Sequence, residues 1–238
     1  MLKYKLLSPV LYISGLIAFI CIAFILILSG FIFLPLFYSS VKICCRFMLS
    51  SLLLWPKIKG KFPSEDTYII MMNHSSFVDV FIFPLIPKGA WTGITAVENF
   101  KIPIFSSIIK RIQAIPIERK NRQAAFKSIK KAEYVLKQGI HIGLLPEGTR
   151  TMDGKMRELK KGGFHMAINT NTPIVPVGVS GAYNFKPKDR WWMKPGPISI
   201  HIGSPTNVSE YPDLGVNGLK YKVGKLIKEL SGDSHEVK

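Results

Sequence analysis

Acidic residues are few in this sequence. Fifteen aspartates and glutamates face 32 lysines and arginines, a net charge of +17. An excess of that size calls for an anionic partner. Nucleic acid, anionic lipid and a phosphorylated or acidic substrate all qualify on charge alone. Cysteine is also scarce: Cys21, Cys44 and Cys45 lie in the apolar N-terminal region, without CxxC spacing and with no histidine nearby. That excludes a disulfide framework and fits a reducing cytoplasmic setting. The chain has no internal repeat and no low-complexity linker, so its 238 residues allow one domain of ordinary size plus an appendage. A hydrophobic fraction of 47% excludes a disordered protein.

Charge is missing altogether between Lys5 and Lys42. The run exceeds the roughly 20 residues that cross a bilayer core, and one straight helix of that length would overshoot it. A signal peptide has a much shorter apolar region and a small-residue cleavage site. Ser29, Gly30 and Pro35 offer a place to break the run. Lys3 and Lys5 precede it, while Lys42, Arg46, Lys57, Lys59 and Lys61 follow. The bias of positive charge toward the cytoplasm then places both ends on that side. The expectation is a membrane-embedded two-helix hairpin within residues 1–60, with helices near 6–29 and 36–55. A single spanning helix is the alternative. Lys42 and Arg46, four apart, predict a shallow second helix whose charges reach the lipid surface. Removing residues 1–57 is expected to release the remainder from the membrane.

Residues 61–238 read differently. Short apolar runs ("TYIIMM", "IQAIPI", "GIHIGLL", "PIVPVGV", "ISIHIG") alternate with stretches of helical period. In "NRQAAFKSIKKAEYVLKQG" the apolar residues Ala125, Phe126, Ile129, Ala132, Val135 and Leu136 share one face, and Gly139 ends the helix. Strands alternating with helices predict one α/β domain around a central sheet.

Four stretches could carry chemistry. In "NHSSFVD", His74 follows a strand and Asp79 comes five residues later. Histidine is the natural general base near neutral pH, and a carboxylate fixes its tautomer and steadies the imidazolium. The pair resembles two members of a Ser-His-Asp triad whose third member would come from the substrate. In "LLPEGTRT", a strand gives way to Glu147, Gly148, Thr149 and Arg150, where glycine allows close backbone approach and arginine offers a planar fork for phosphate. Arg119 follows the apolar run "AIPI" and Glu118. Pro173 and Pro176 bracket the strand-like "TPIVPV".

In this order and spacing the stretches resemble the glycerophospholipid acyltransferase family, in particular its bacterial 1-acylglycerol-3-phosphate acyltransferases. "NHSSFVD" and "PEGTR" match two of the family's blocks in full, and "TPIVPV" fits a third. The remaining block departs: the usual glycine falls on Gln113, the usual phenylalanine on Pro116, and Glu118 precedes Arg119. The resemblance covers roughly residues 62–205. It implies transfer of a fatty acyl group from a thioester, acyl-CoA or acyl-ACP, to a lysophosphatidate hydroxyl, with no cofactor beyond that co-substrate. His74 would be the base, with Asp79 orienting it. Arg119 and Arg150 would hold the acceptor's phosphate, and Glu147, Gly148 and Thr149 would shape that site. Relatives acting on lysophosphatidate often carry a lysine before an E-x4-P segment. Here that window holds Ala96 and Val97, with Lys101 beyond it.

A membrane enzyme with lipid partners has its active site at the cytoplasmic face of the cell membrane. Trp191 and Trp192, among Lys186, Lys188, Arg190 and Lys194, read as a patch for the anionic bilayer surface. Against nucleic acid, the basic helix offers lysines without an aromatic platform. "GVSGA" lacks the second glycine of a serine-hydrolase elbow at the required place. His141, His165, His201 and His235 stand singly, so no metal site is expected. The rival outside catalysis is a membrane-anchored basic scaffold.

Overall fold

The computed structural model describes residues 1–30, 34–103, 105–118, 122–210 and 215–233. The uncharged run folds as α1 (Leu2–Gly30) and the start of α2 (Leu34–Ser51). Ser14 Oγ donates to the Ser51 carbonyl at 2.8 Å, and Gly15 lies against Leu52. These residues are about equally far from the connection, so the two helices run antiparallel. Among the described residues, α1 alone is long and apolar enough to cross a bilayer. At roughly 1.5 Å per residue its 29 residues reach about 43 Å. In the second helix, Lys42 Nζ donates to the carbonyl of Pro87, in the α/β domain. α2 stops short of residue 55, because Leu53 turns into the left-handed region (φ 57°).

The sheet begins with β1 (Lys57–Lys59) and β2 (Ile69–Met72). After α3 (Asp79–Ile82) come β3 (Trp91–Ala96), α4 (Phe105–Arg111) and β4 (Ile115–Ile117). Next are α5 (Arg122–Leu136), β5 (His141–Leu144), α6 (Gly162–Thr170) and β6 (Ile174–Ser180). Then α7 (Ala182–Phe185), β7 (Ser199–Ile202) and α8 (Gly215–Ser231) complete the fold. The strand order is β1-β7-β6-β2-β5-β3-β4. The five strands from β6 to β4 are parallel, while β7 is antiparallel to β6 and carries β1 beside it in parallel.

Alternation along β2 builds both layers. Ile70 and Met72 join Leu49, Leu54, Val78 and Ile82 on the side of α1–α3. Ile69 and Met71 meet Ala132, Phe164, Ala167 and Val223 on the side of α5, α6 and α8. Successive side chains of a strand point to opposite faces, so a strand covered twice reads as an unbroken apolar run. Leu11, Ala18 and Ile22 of α1 belong to the same buried cluster as Val175 and Val177 of β6. At β6, a Cβ on Gly178 would come within 2.2 Å of the Leu230 carbonyl carbon, so a glycine is required where α8 crosses the sheet. Five of the seven strands coincide with the apolar runs. The other two were not among them: β1, "KIK", is an exposed edge strand with two lysines, and β3 is interrupted by Gly93.

Candidate active site

In a parallel sheet the carboxyl ends of adjacent strands collect their following loops at one edge. Here the loops after β2, β5 and β6 meet, and β2 pairs with both of the others. Asn73 clamps the first to the last: its Oδ1 accepts the Val179 N–H at 2.7 Å, and its Nδ2 donates to the Val179 carbonyl at 2.9 Å. Sequence reasoning took this residue only as part of the "NHSSFVD" block.

His74 Nδ1 lies 2.8 Å from Asp79 Oδ2. The same carboxylate oxygen accepts the N–H groups of Ser75 (2.7 Å) and Ser76 (2.9 Å). Asp79 is buried, whereas the His74 side chain keeps 21% of its surface open. The turn from His74 into α3 thus brings backbone donors onto the carboxylate that faces the ring. With Nδ1–H donating to Asp79, the Nε2 lone pair is left free to accept a proton.

The loop after β5 grips the His74 backbone from both sides. Glu147 Oε1 accepts the His74 N–H at 2.6 Å, and the Thr151 N–H donates to the His74 carbonyl at 2.9 Å. The other Glu147 oxygen accepts the Arg157 N–H at 2.7 Å. Burial pushes the Glu147 carboxyl up to about 7, against the pull of those two N–H donors, with the Asp79 charge adding to the rise. Gly148 sits at φ +73°, a conformation that a Cβ would strain. Among the described residues, no carboxylate lies within ion-pair distance of the half-buried Arg150.

Three of the seven expected site residues are therefore joined by hydrogen bonds, Glu147 to the His74 backbone and Asp79 to its ring, and Gly148, Thr149 and Arg150 lie in the loop between Glu147 and Thr151. Arg119 lies outside the described residues. Gln113, where the family's glycine was expected, has φ +55°. Lys101, displaced from the family's lysine position, is exposed. The tryptophan patch divides. Trp191 is 53% exposed, while Trp192 is packed between Arg190 (3.9 Å to the ring centre) and Tyr4 (rings stacked, 6.1 Å). Among the described residues no group of three metal-binding side chains occurs.

A family model described as "Acyltransferase" matches residues 57–180, more than half of the chain. The chain belongs to that family. It is 34% identical over 162 residues to the 1-acyl-sn-glycerol-3-phosphate acyltransferase of Cocos nucifera, a match covering 67% of this chain and 52% of that one. With the Limnanthes douglasii protein of the same name it shares 27% identity over 207 residues, 81% of this chain and 74% of that one. With the Pseudomonas aeruginosa one it shares 29% over 143 residues, 58% and 54% of the two chains. This chain thus spans about half the length of the first and last of these relatives. Its fold is that of the crystal structure of the 1-acyl-sn-glycerophosphate acyltransferase PlsC of Thermotoga maritima, with a TM-score of 0.84 at 21% identity. That likeness covers 100% of this chain and 99% of that one.

Proposed function

We propose that this protein is a membrane-bound O-acyltransferase that moves a fatty acyl group from acyl-CoA or acyl-ACP to the sn-2 hydroxyl of 1-acylglycerol-3-phosphate, giving phosphatidate. The names of its relatives support the acceptor. The observation that carries the reading is the 2.8 Å contact between His74 Nδ1 and a buried Asp79 carboxylate. His74 Nε2 takes the hydroxyl proton as the oxygen attacks the thioester carbon. The carbon–sulfur bond then breaks, and the sulfur leaves with the proton that His74 returns. An alcohol is too weak an acid to ionise in advance at neutral pH, so proton removal must accompany attack. Asp79 holds the ring in the tautomer that leaves Nε2 free and stabilises the transient imidazolium. Arg150 and Arg119 hold the acceptor's phosphate through charge-assisted hydrogen bonds. Residues 1–60 anchor the enzyme, with the site at the cytoplasmic face, where acceptor and product need not leave the bilayer surface.

Another lysophospholipid or glycerol 3-phosphate is the second reading of the acceptor, favoured by Ala96 and Val97 in the lysine window. The test is thiol release from acyl-CoA and from acyl-ACP by detergent-solubilised protein, across a panel of acceptors. Release should require lysophosphatidate and vanish in His74→Ala. Asp79→Asn should lower kcat by orders of magnitude while KM changes little. Release with a different acceptor only would keep the mechanism and replace the substrate. Silence with both donors would favour the scaffold.

A further inference from the structure

One lysine on the loop after α7 is built into the site without a role in the reaction described above. The Lys186 carbonyl accepts the Ser76 hydroxyl at 2.9 Å, two residues beyond His74. On the other flank, Arg150 immediately precedes Thr151, whose N–H is bonded to the His74 carbonyl. The backbones that carry the two cations therefore flank one segment, His74–Ser76. The Lys186 backbone is fixed by further bonds: its N–H donates to the Ala182 carbonyl, and the neighbouring Phe185 carbonyl accepts the Lys194 N–H at 2.8 Å.

Arg190, the third cation nearby, is committed elsewhere. Its guanidinium donates to the carbonyls of Asn184 (2.5 Å), Phe185 (2.6 Å) and Trp192 (3.1 Å) and lies over the Trp192 ring. Among the described residues Lys186 Nζ donates to the Pro187 carbonyl, at 3.1 Å, which leaves two of its three hydrogens. Among the described residues no carboxylate lies within ion-pair distance of Lys186. Partial burial, then the charges of Arg150 and Arg190, push the Lys186 ammonium below its ordinary range, with Asp189 opposing. Holding partly buried cations near enough to repel one another is unfavourable until an anion joins them.

We propose that Lys186 is the second cation of the acceptor's phosphate site, acting with Arg150 across the His74–Ser76 segment. The proposal rests on the phosphorylated-acceptor reading above. It makes Lys186 a specificity residue: an ammonium places a point charge on phosphate where Arg150 supplies a planar fork.

The experiment uses the full chain in detergent, with Lys186→Gln, Lys186→Arg and Arg150→Gln assayed by thiol release. Lys186→Gln should raise KM for lysophosphatidate roughly ten- to hundredfold, the effect of losing one charged hydrogen bond. Lys186→Arg should recover most of that loss, and KM for the acyl donor should stay within about twofold of the unsubstituted chain. A rise in the donor's KM instead would assign Lys186 to the donor's phosphates and overturn the proposal, as would an unchanged KM for lysophosphatidate. Should the unsubstituted chain ignore lysophosphatidate, the acceptor reading fails separately. Glycerol 3-phosphate then takes its place in the same assay, and a KM indifferent to Lys186→Gln overturns the proposal there too.

Discussion

Glu147 has two backbone N–H donors and two oxygens to meet them, at 2.6 and 2.7 Å. A carboxylate satisfies both. An amide cannot, because one of its ends is itself a donor and would face either His74 N–H or Arg157 N–H. Glu147→Gln should therefore cost about 1–3 kcal/mol, the usual penalty for leaving a buried donor unpaired. It should also slow turnover by loosening the backbone that carries the proposed base, His74. The sign of the pH dependence follows from burial. With its folded value raised to about 7, above the unfolded value near 4.5, Glu147 binds more protons in the folded state between these limits. Its contribution to stability then falls as pH rises through that window. Thermal unfolding in detergent at pH 5 and pH 8 should show a shallower fall for Glu147→Gln than for the unsubstituted protein. Equal slopes would mean that another group governs the dependence. At this scale the sequence was informative wherever chemistry is short-range: His74 and Asp79 are five residues apart, and one turn suffices to bring them together. It said nothing of Asn73 joining Val179 across the sheet, or of Ser76 joining Lys186. Those partners are 106 and 110 residues distant.

At the scale of elements, β4 shows how a departure from a family pattern can leave its geometry intact. Gln113 is exposed and turns the chain between α4 and β4 at φ +55°, where the family's glycine would be unstrained. Holding a residue with a Cβ there costs on the order of 1–2 kcal/mol, while glycine loses roughly 0.5–1 kcal/mol more backbone entropy on folding. Gln113→Gly should accordingly leave stability within about 1 kcal/mol of the parent or raise it. A β-branched residue, as in Gln113→Val, should lower it by about 1–2 kcal/mol. Unfolding midpoints that do not separate the two variants would show that backbone conformation is not what selects this position. Pro116 is accommodated because β4 lies at the edge of the sheet, where a strand can lack a donor. Helix α5 was legible from its apolar period, and Ala132, Val135 and Leu136 are buried as that period required. Edge strands are harder to read, because a short, solvated strand such as β1 needs no apolar run.

For the whole molecule, the shared core bears on the role of the N-terminal helices. Leu11, Ala18, Leu49 and Leu54 are buried in one cluster with Ile70, Met72, Val175 and Val177. Removing residues 1–57 would uncover that face of the sheet as well as taking away a helix long and apolar enough to cross a membrane. A truncated chain expressed without detergent should therefore aggregate instead of appearing as a soluble enzyme. Sedimentation followed by a detergent rescue distinguishes the two outcomes, and a monomeric, active truncation would show that the helices serve only as an anchor. Composition marked the N-terminal run as apolar but could not show how much of it faces lipid and how much faces protein.

Tyr4, Ser8 and Tyr12 recur every four residues on one face of α1. They meet Trp192 by stacking, the Met193 N–H at 2.8 Å, and the Trp191 carbonyl at 2.6 Å. At roughly 1.5 Å per residue these three rungs grip about 12 Å of helix axis, too long a purchase for the helix to swivel alone. With α1 seated in a bilayer as proposed, any change in thickness or curvature that tilts the helix must tilt the proposed active site by the same angle. The lever ends on the loop that carries Lys186, so the orientation of the lipid surface and the posture of the site become one degree of freedom.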